Sequence, residues 1–213
     1  MLAEDETDLR LFPPLRAAWS PRGQPTEVLL SGWNACRVVF GVMNLTTGNR
    51  LFLTRQKQRA EDFRAFLDLI HDHYRGWHVA LLLDEDPSHT AQTSKSLAKR
   101  MKMTLLWLPK RAPSLNPMDT LWGQGKDKIS ANKQYATIDE QVDRFYGFLS
   151  GLTDHEALHT AGVFSKSFWL NRTLSKKFCG PARLKDSTAS SAWTRRGPGQ
   201  NERATTKRHA ARG

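Results

Sequence analysis

At 213 residues, with 39% hydrophobic and 25% charged side chains, the sequence suits one globular domain with a substantial core. Its formal charge of +11 points to a polyanionic partner, nucleic acid before membrane, although the stretch from Pro181 onward (8 Lys/Arg against 2 Asp/Glu) holds +6 of that charge. No apolar run approaches the ~18 residues of a membrane span, the N-terminus is acidic rather than leader-like, and Cys36 and Cys179 form neither a zinc-binding Cys-x-x-Cys pair nor a disulfide framework, so a soluble cytoplasmic protein is expected.

Taken in order, Met1 to Phe12 predicts a strand, clipped in appearance because only four residues precede Asp5. Pro13-Pro14 and SPRGQP mark turns, and Glu27 to Ser31 predicts a short strand. A hairpin follows, with arms Arg37 to Asn44 and Arg50 to Thr54 around a Thr-Thr-Gly-Asn turn. From Arg59 to Tyr74 the residues Phe63, Phe66, Leu67, Leu69 and Ile70 recur at helical spacing, and Gly76 closes that helix. The run Val79 to Leu83 reads as a buried strand that stops at Asp84-Glu85-Asp86, and a crossover helix is expected from about Ser88 to Arg100. Met103 to Leu108 is another apolar strand. Helices are predicted from Pro117 to about Asn132, from about Ile138 to Leu152, and around His155 to Ala161. Trp77, Trp107 and Trp122 are embedded in apolar sequence and read as core, whereas Trp19 and Trp33 lie in loops, free to touch a ligand. The pattern alone gives mixed α/β, with helices on both faces of a sheet.

Two carboxylates stand out in this order. Asp84 falls at the C-terminal lip of a strand, and Asp119 falls in the first turn of a helix that Asn116 can cap and Pro117 can open. With 34 residues between them, room for one crossover, both converge on one sheet edge. Convergent carboxylates repel unless they share protons or a hard cation such as Mg2+. Strands also end in acidic turns, and helices begin with Asp for dipole reasons alone. These two positions by themselves leave the structural and functional readings open.

The runs LLLDEDPSH and LPKRAPSLNPMDTLW resemble the second and third acidic motifs of the DDE/DDD transposases, specifically the mariner-like enzymes and bacterial insertion-sequence relatives. His89, five residues after Asp84, and the Ser-Leu-Asn-Pro-x-acid-x-x-Trp pattern ending at Trp122 are the most specific parts. The first motif of that family, Asp-Glu followed by Trp-x-Pro-x-Gly, is met by Asp5-Glu6 and Trp19-Ser20-Pro21-Arg22-Gly23. The three motifs cover about residues 2–152. The resemblance implies a ribonuclease H-like catalytic domain over 1–175, a mixed sheet with antiparallel opening strands and helices on both faces, and a basic disordered tail over 176–213. It implies metal-dependent DNA strand cleavage and transfer, with Asp5, Asp84 and Asp119 as catalytic residues and metal ligands for two Mg2+ (or Mn2+) ions that bridge the scissile phosphate. Glu6, His89 and Asn116 are implied in support, His89 orienting a carboxylate or a phosphate or merely starting a helix. Strand alternation aims Glu6 away from Asp5. Lys110, Arg111, Lys126 and Lys128 flank the third motif, as a phosphate track or as the polar face of that helix.

The implied partners are DNA, both transposon ends and target, and a second copy of the chain, in a bacterial, nucleoid-associated setting. Family members carry an N-terminal helix-turn-helix region that reads the terminal repeats, and this sequence begins at the catalytic strand. A truncated copy, or one product of a split reading frame with a separately encoded helix-turn-helix part, is therefore expected. The sequence departs from the family pattern at Glu85, often Asn, and at Pro109-Lys110-Arg111-Ala112, often Pro-Pro-Tyr-Ser, but neither change removes an acidic ligand.

Two other readings compete. A remnant that keeps the fold and binds DNA without turnover has the same motifs. A zinc metallopeptidase is the more distant alternative, since His155-Glu156-Ala157-Leu158-His159 matches His-Glu-x-x-His on a predicted helix. The longer form of that motif wants a third histidine where Ser165 stands, which would leave zinc two protein ligands.

Overall fold

The computed structural model describes residues 1–24 and 27–175. Five strands form one mixed sheet in the order β3-β2-β1-β4-β5. Strand β1 (Leu2–Arg10) pairs antiparallel with β2 (Cys36–Asn44) along its whole length, from Leu2 opposite Asn44 to Arg10 opposite Cys36. Asp5 therefore lies inside a nine-residue strand. The strand continues well past Asp5, and the ladder to β2 holds both of its ends.

A tight turn joins β2 to β3 (Arg50–Arg55), as the Thr-Thr-Gly-Asn signature predicts. Asn44 Oδ1 accepts from the backbone N–H of Thr46 at 2.9 Å, and Gly48 takes the left-handed φ of +82° that a side chain would disfavour. Helix α1 (Ala60–His73) then carries the chain across the sheet to β4 (Ala80–Leu83), which lies parallel to β1. The predicted single helix after β4 is two pieces, α2 (Pro87–Thr90) and α3 (Gln92–Arg100), because Ala91 adopts an extended ψ of 135° between them. Strand β5 (Thr104–Trp107) runs parallel to β4 at the sheet edge. A 3-10 turn (Pro113–Leu115) leads into α4 (Pro117–Ile129), followed by α5 (Ile138–Gly151), α6 (Asp154–Thr160) and α7 (Asn171–Ser175).

Alternation along the strands builds one core on each sheet face. Leu2, Val38, Phe40, Leu81 and Leu83 pack with Phe63, Phe66 and Ile70 of α1 and Leu97 of α3. Ala3, Val39, Met43 and Leu82 pack with Met118, Leu121 and Trp122 of α4 and Phe145 and Leu149 of α5. Gly41 permits the closest approach on this second face, because a Cβ there would overlap the Trp122 ring. Helix α4 is thereby seated directly on β2.

Several expectations give way to the edges of this architecture. Residues 27–31 form no strand: Leu29 and Leu30 are exposed, in a long excursion between β1 and β2 whose ends meet where Leu11 N–H donates to Ala35 O at 2.8 Å. Gln134 pins the excursion by accepting from Ser31 N–H and donating to Trp33 O, which satisfies those backbone groups without a ladder. Trp122 is core as expected, but Trp77, 61% exposed, precedes the strand and Trp107, 37% exposed, sits on an edge strand with no neighbour beyond it among the described residues. Trp19 and Trp33 are exposed as read. No helix among the described residues is long and apolar enough to cross a membrane. The predicted tail, and Cys179, lie outside the described residues.

Candidate active site

The sheet register brings the first two aspartates to one edge. Ala3 pairs with Leu82 across the parallel β1–β4 ladder, so Asp5 and Asp84, two residues further along each strand direction, emerge side by side. Asp5 shares the sheet face of Ala3 and Leu9, which is the face α4 covers. Asp119 lies in the first turn of α4, exposed, where the helix dipole favours a carboxylate.

Asn116 ties these elements together. Its side-chain oxygen caps α4 by accepting from Met118 N–H at 3.1 Å, and its amide donates to Glu4 O on β1 at 2.8 Å. The residue is 4% exposed, so the helix start and the strand beside Asp5 are joined through a dry contact.

The electrostatics record the convergence. Burial first, then the charges of Glu6, Asp84 and Asp119, push the Asp5 carboxyl from 3.8 to about 8. Asp84 is held below the ordinary carboxylate range by its hydrogen bond to His89. The donor atoms of the three aspartates are nonetheless not drawn into one tight cluster, for among the described residues the group whose possible ligand atoms all lie within 4.8 Å of one another is Glu4, Glu6 and His89. Asp84 turns part of its carboxylate toward His89 instead.

That histidine is the hub of the other face of β1. His89 is 1% exposed, its Nδ1 lies 3.0 Å from Asp84 Oδ1 and 3.1 Å from Asp84 O, and its Nε2 lies 2.7 Å from Glu6 Oε1. Asp86 places it by capping α2, accepting from Ser88 N–H at 2.8 Å, and the Phe63 ring packs on the imidazole. Burial works against a charge on His89, but Glu4 and the hydrogen bonds to Asp84 and Glu6 outweigh it and push the ring up to about 12. Glu6 thus faces away from Asp5, as strand alternation predicts, yet reaches Asp84 through one imidazole.

Glu4 was not singled out in the sequence, and it is the residue that reasoning missed. Period-two alternation puts it on the Glu6 face but carries no sign of its burial. Its side chain is fully buried and neither carboxylate oxygen has a hydrogen-bond partner among the described residues. Burial, followed by the charge of Glu6, holds its carboxyl well above the ordinary value.

The cations divide by position. Lys126 is half-buried on α4, where burial lowers its value against the pull of Asp8, Asp119 and Asp5, so it belongs to the acidic edge. Lys110 is exposed and pairs with Glu85 at 3.2 Å, while Arg111, with φ of 59°, and Lys128 are exposed.

The His-Glu-x-x-His motif has a different use. Glu156 accepts from Thr153 N–H and Thr153 Oγ1, both at 2.8 Å, and Thr153 Oγ1 caps Glu156 N–H in return. His155 packs against Phe164. The glutamate that a zinc peptidase would need as base is therefore a helix cap, and His155 and His159 belong to no candidate metal group among the described residues.

Comparison with known proteins agrees with this arrangement. Residues 1–141 match the DDE superfamily endonuclease family. The chain is 25% identical over 148 residues to the insertion element IS630 uncharacterized 39 kDa protein of Shigella sonnei, a match covering 68% of this chain and 43% of that protein. Its fold is similar to that of the mariner Mos1 paired-end complex with Mg, with a TM-score of 0.62 at 15% identity, covering 75% of this chain and 50% of that one. It is similar also to the catalytic domain of Mos1 mariner transposase, with a TM-score of 0.53 at 13% identity, covering 75% of this chain and 74% of that one. The chain spans less than half the length of its IS630 relative and about half of the longer Mos1 chains. With its mixed sheet opened by antiparallel strands, its acidic edge between β1, β4 and α4, and this match over most of its described length, the chain belongs to the DDE superfamily endonucleases and has the ribonuclease H-like fold of a transposase catalytic domain.

Proposed function

We propose that this chain performs metal-dependent DNA strand cleavage and transfer for an insertion sequence, with Asp5, Asp84 and Asp119 as catalytic metal ligands. The observation that carries this reading is the geometry of one sheet edge, where Asp5 and Asp84 each stand two residues beyond the paired Ala3 and Leu82 on adjacent parallel strands and Asp119 opens the helix that covers the Asp5 face. Burial, then Glu6, Asp84 and Asp119, raise the Asp5 carboxyl to about 8. Three carboxylate donors with unbalanced negative potential at a sheet edge suit hard divalent cations, and two Mg2+ or Mn2+ ions are the expected complement. Bound there, such ions supply Lewis-acid stabilisation to an in-line displacement at phosphorus and ease deprotonation of the attacking hydroxyl.

The chain's own residues do the positioning. His89, backed by Glu6, fixes the direction of Asp84; Asn116 holds α4, and with it Asp119, against β1. Lys126 offers a cation beside Asp5 and Asp119 for a DNA phosphate, and Lys110, Arg111 and Lys128 are exposed cations for further backbone contacts. The partners of this site are transposon-end and target DNA, brought together by a second copy of the chain, in the bacterial cytoplasm at the nucleoid. Recognition of the terminal repeats falls to a helix-turn-helix part outside this stretch, carried in the same protein or encoded separately.

The test is nicking of supercoiled DNA by the full chain with Mg2+ or Mn2+. The expected result is ion-dependent nicking that Asp84→Asn lowers by ~1,000-fold or more while DNA retention persists, an effect of the size seen when a group acting only in the transition state is lost. Retention of DNA without cleavage at any ion concentration would contradict the proposal and leave a non-catalytic DNA-binding remnant.

A further inference from the structure

Behind the acidic edge, on the far side of β1, the chain holds a second group of donors, joined to the aspartates through the His89–Asp84 hydrogen bond. Glu4, Glu6 and His89 converge there with side chains 0%, 6% and 1% exposed. His89 Nε2 lies 2.7 Å from Glu6 Oε1 and 3.6 Å from Glu4 Oε2, and the possible ligand atoms of the three residues fit within 4.8 Å. From Glu4, Oε1 and Oε2 are both buried without a hydrogen bond among the described residues. A buried carboxylate with nothing to accept from is costly, and such groups in folded proteins call for a partner.

We infer that Glu4, Glu6 and His89 form a buried site for one first-row divalent cation, Zn2+ or Mn2+, separate from the ions at the aspartate edge. The donor chemistry fits. Imidazole with two carboxylates suits Zn2+ or Mn2+ better than Mg2+, which retains waters and avoids nitrogen. Two carboxylates balance the charge of a divalent ion, which would also give the Glu4 oxygens, left without a hydrogen bond among the described residues, a partner.

The histidine is already oriented as a ligand. Its Nδ1 faces Asp84 Oδ1 and Asp84 O at 3.0 and 3.1 Å, so Nδ1–H donates outward, and a bound cation would replace the proton that Nε2 shares with Glu6 Oε1 at 2.7 Å. A carboxylate or carbonyl on the second ring nitrogen is the usual support of a metal-bound histidine. Bonds of ~2.0–2.2 Å to each donor separate neighbouring donors by roughly 3.0–3.6 Å, close to the 2.7 and 3.6 Å spacings from His89 Nε2 seen here. Asp84 is 56% exposed and sits against the other side of His89, so the site lies one imidazole in from the surface. An ion there would lock the His89 tautomer that holds Asp84.

The experiment uses the full chain with Asp5→Asn and Asp119→Asn together, which removes two ligands of the edge and keeps Asp84 for His89. After chelation the protein is loaded with Zn2+ or Mn2+ alone, dialysed, and its metal content measured. One retained ion per chain is expected, with binding weakened at least tenfold by adding Glu4→Gln. X-ray absorption on the zinc-loaded double variant should show one imidazole among oxygen donors, a readout that does not depend on whether the Glu4→Gln protein folds. No retained ion, binding unchanged by Glu4→Gln in a folded protein, or a metal shell without imidazole would each overturn the site. Since the double variant lacks the edge ligands, these outcomes stand apart from whether the chain cleaves DNA.

Discussion

The two faces of β1 carry acids of similar kind in opposite surroundings. Asp5 lies on the side covered by α4, near the exposed carboxylates Asp84 and Asp119, whereas Glu4 and Glu6 lie on the side of α1 and α2 with a buried imidazole between them. The contrast teaches what geometry does to a carboxylate. On the open side the acids repel one another, and a cation or phosphate-bearing substrate can approach. On the sealed side the charge must be answered from within, and His89 does so while also reaching through to Asp84. One strand thus separates an acidic edge from the scaffold that aims it.

The largest effect that separates the faces is on cleavage. Asp119→Asn should lower Mg2+-dependent nicking ~1,000-fold with the thermal midpoint little changed, because the side chain is exposed and its loss falls on chemistry alone. A comparable loss in Glu6→Gln, on the sealed face, would erase the distinction. Next comes His89→Ala, which strips the partner from buried Glu4 and Glu6. Removing one member of a buried ionic group costs ~3–5 kcal/mol, so a large drop in thermal midpoint should accompany a fall in cleavage of roughly 10–100-fold, the usual range for a group supporting a metal ligand. Unchanged stability would show that His89 bears no such load.

Gly41→Ala tests the packing that seats the open face. Its Cβ would meet the Trp122 ring and Met118 Cε, so α4 must shift, at ~1–3 kcal/mol, and cleavage should fall with stability as Asp119 moves. Full activity in that variant would mean that α4 does not set the Asp119 position. The smallest effect is expected for Asn116→Ala, which loses a helix cap worth about 1 kcal/mol together with the bond to Glu4 O. Rescue by Asn116→Asp should be partial, because a carboxylate keeps the cap and loses the amide donor.

Much of the open face was legible in the sequence, since its determinants are local. The apolar run stopping at Asp84 and the Asn116-Pro117 helix start each carry their own signal, and one crossover between them dictates the shared edge. Period-two alternation also gave the direction of Glu6. The sealed face was harder to read because burial is a tertiary property. Nothing around Glu4 distinguishes a solvated strand acid from one enclosed by α1 and α2, and only the docking of Phe63 and His89 decides it. The same reason misplaced Trp77 and Trp107, whose apolar neighbours suggested a core while the sheet ends at β5. The strand expected at Glu27 to Ser31 had suitable residues, but the backbone there is held by Gln134 rather than by a ladder.

Titration of the Asp5 carboxyl by carbon-13 NMR, in metal-free protein and again with Mg2+, is the most direct test of the convergence on which the functional reading rests. In the metal-free protein its midpoint should lie near 8 and fall in Asp119→Asn, since burial and the neighbouring acids raise it. A carboxyl raised from 3.8 favours the folded state fully only below about pH 3.8, and that contribution is lost as the pH climbs to about 8. Metal-free protein should accordingly weaken over that window, and Asp5→Asn should abolish the trend. Saturating Mg2+ should drop the Asp5 midpoint below 4, as a bound cation stabilises the ionised form. A midpoint near 3.8 without metal, unmoved by Mg2+ and by Asp119→Asn, would contradict the account.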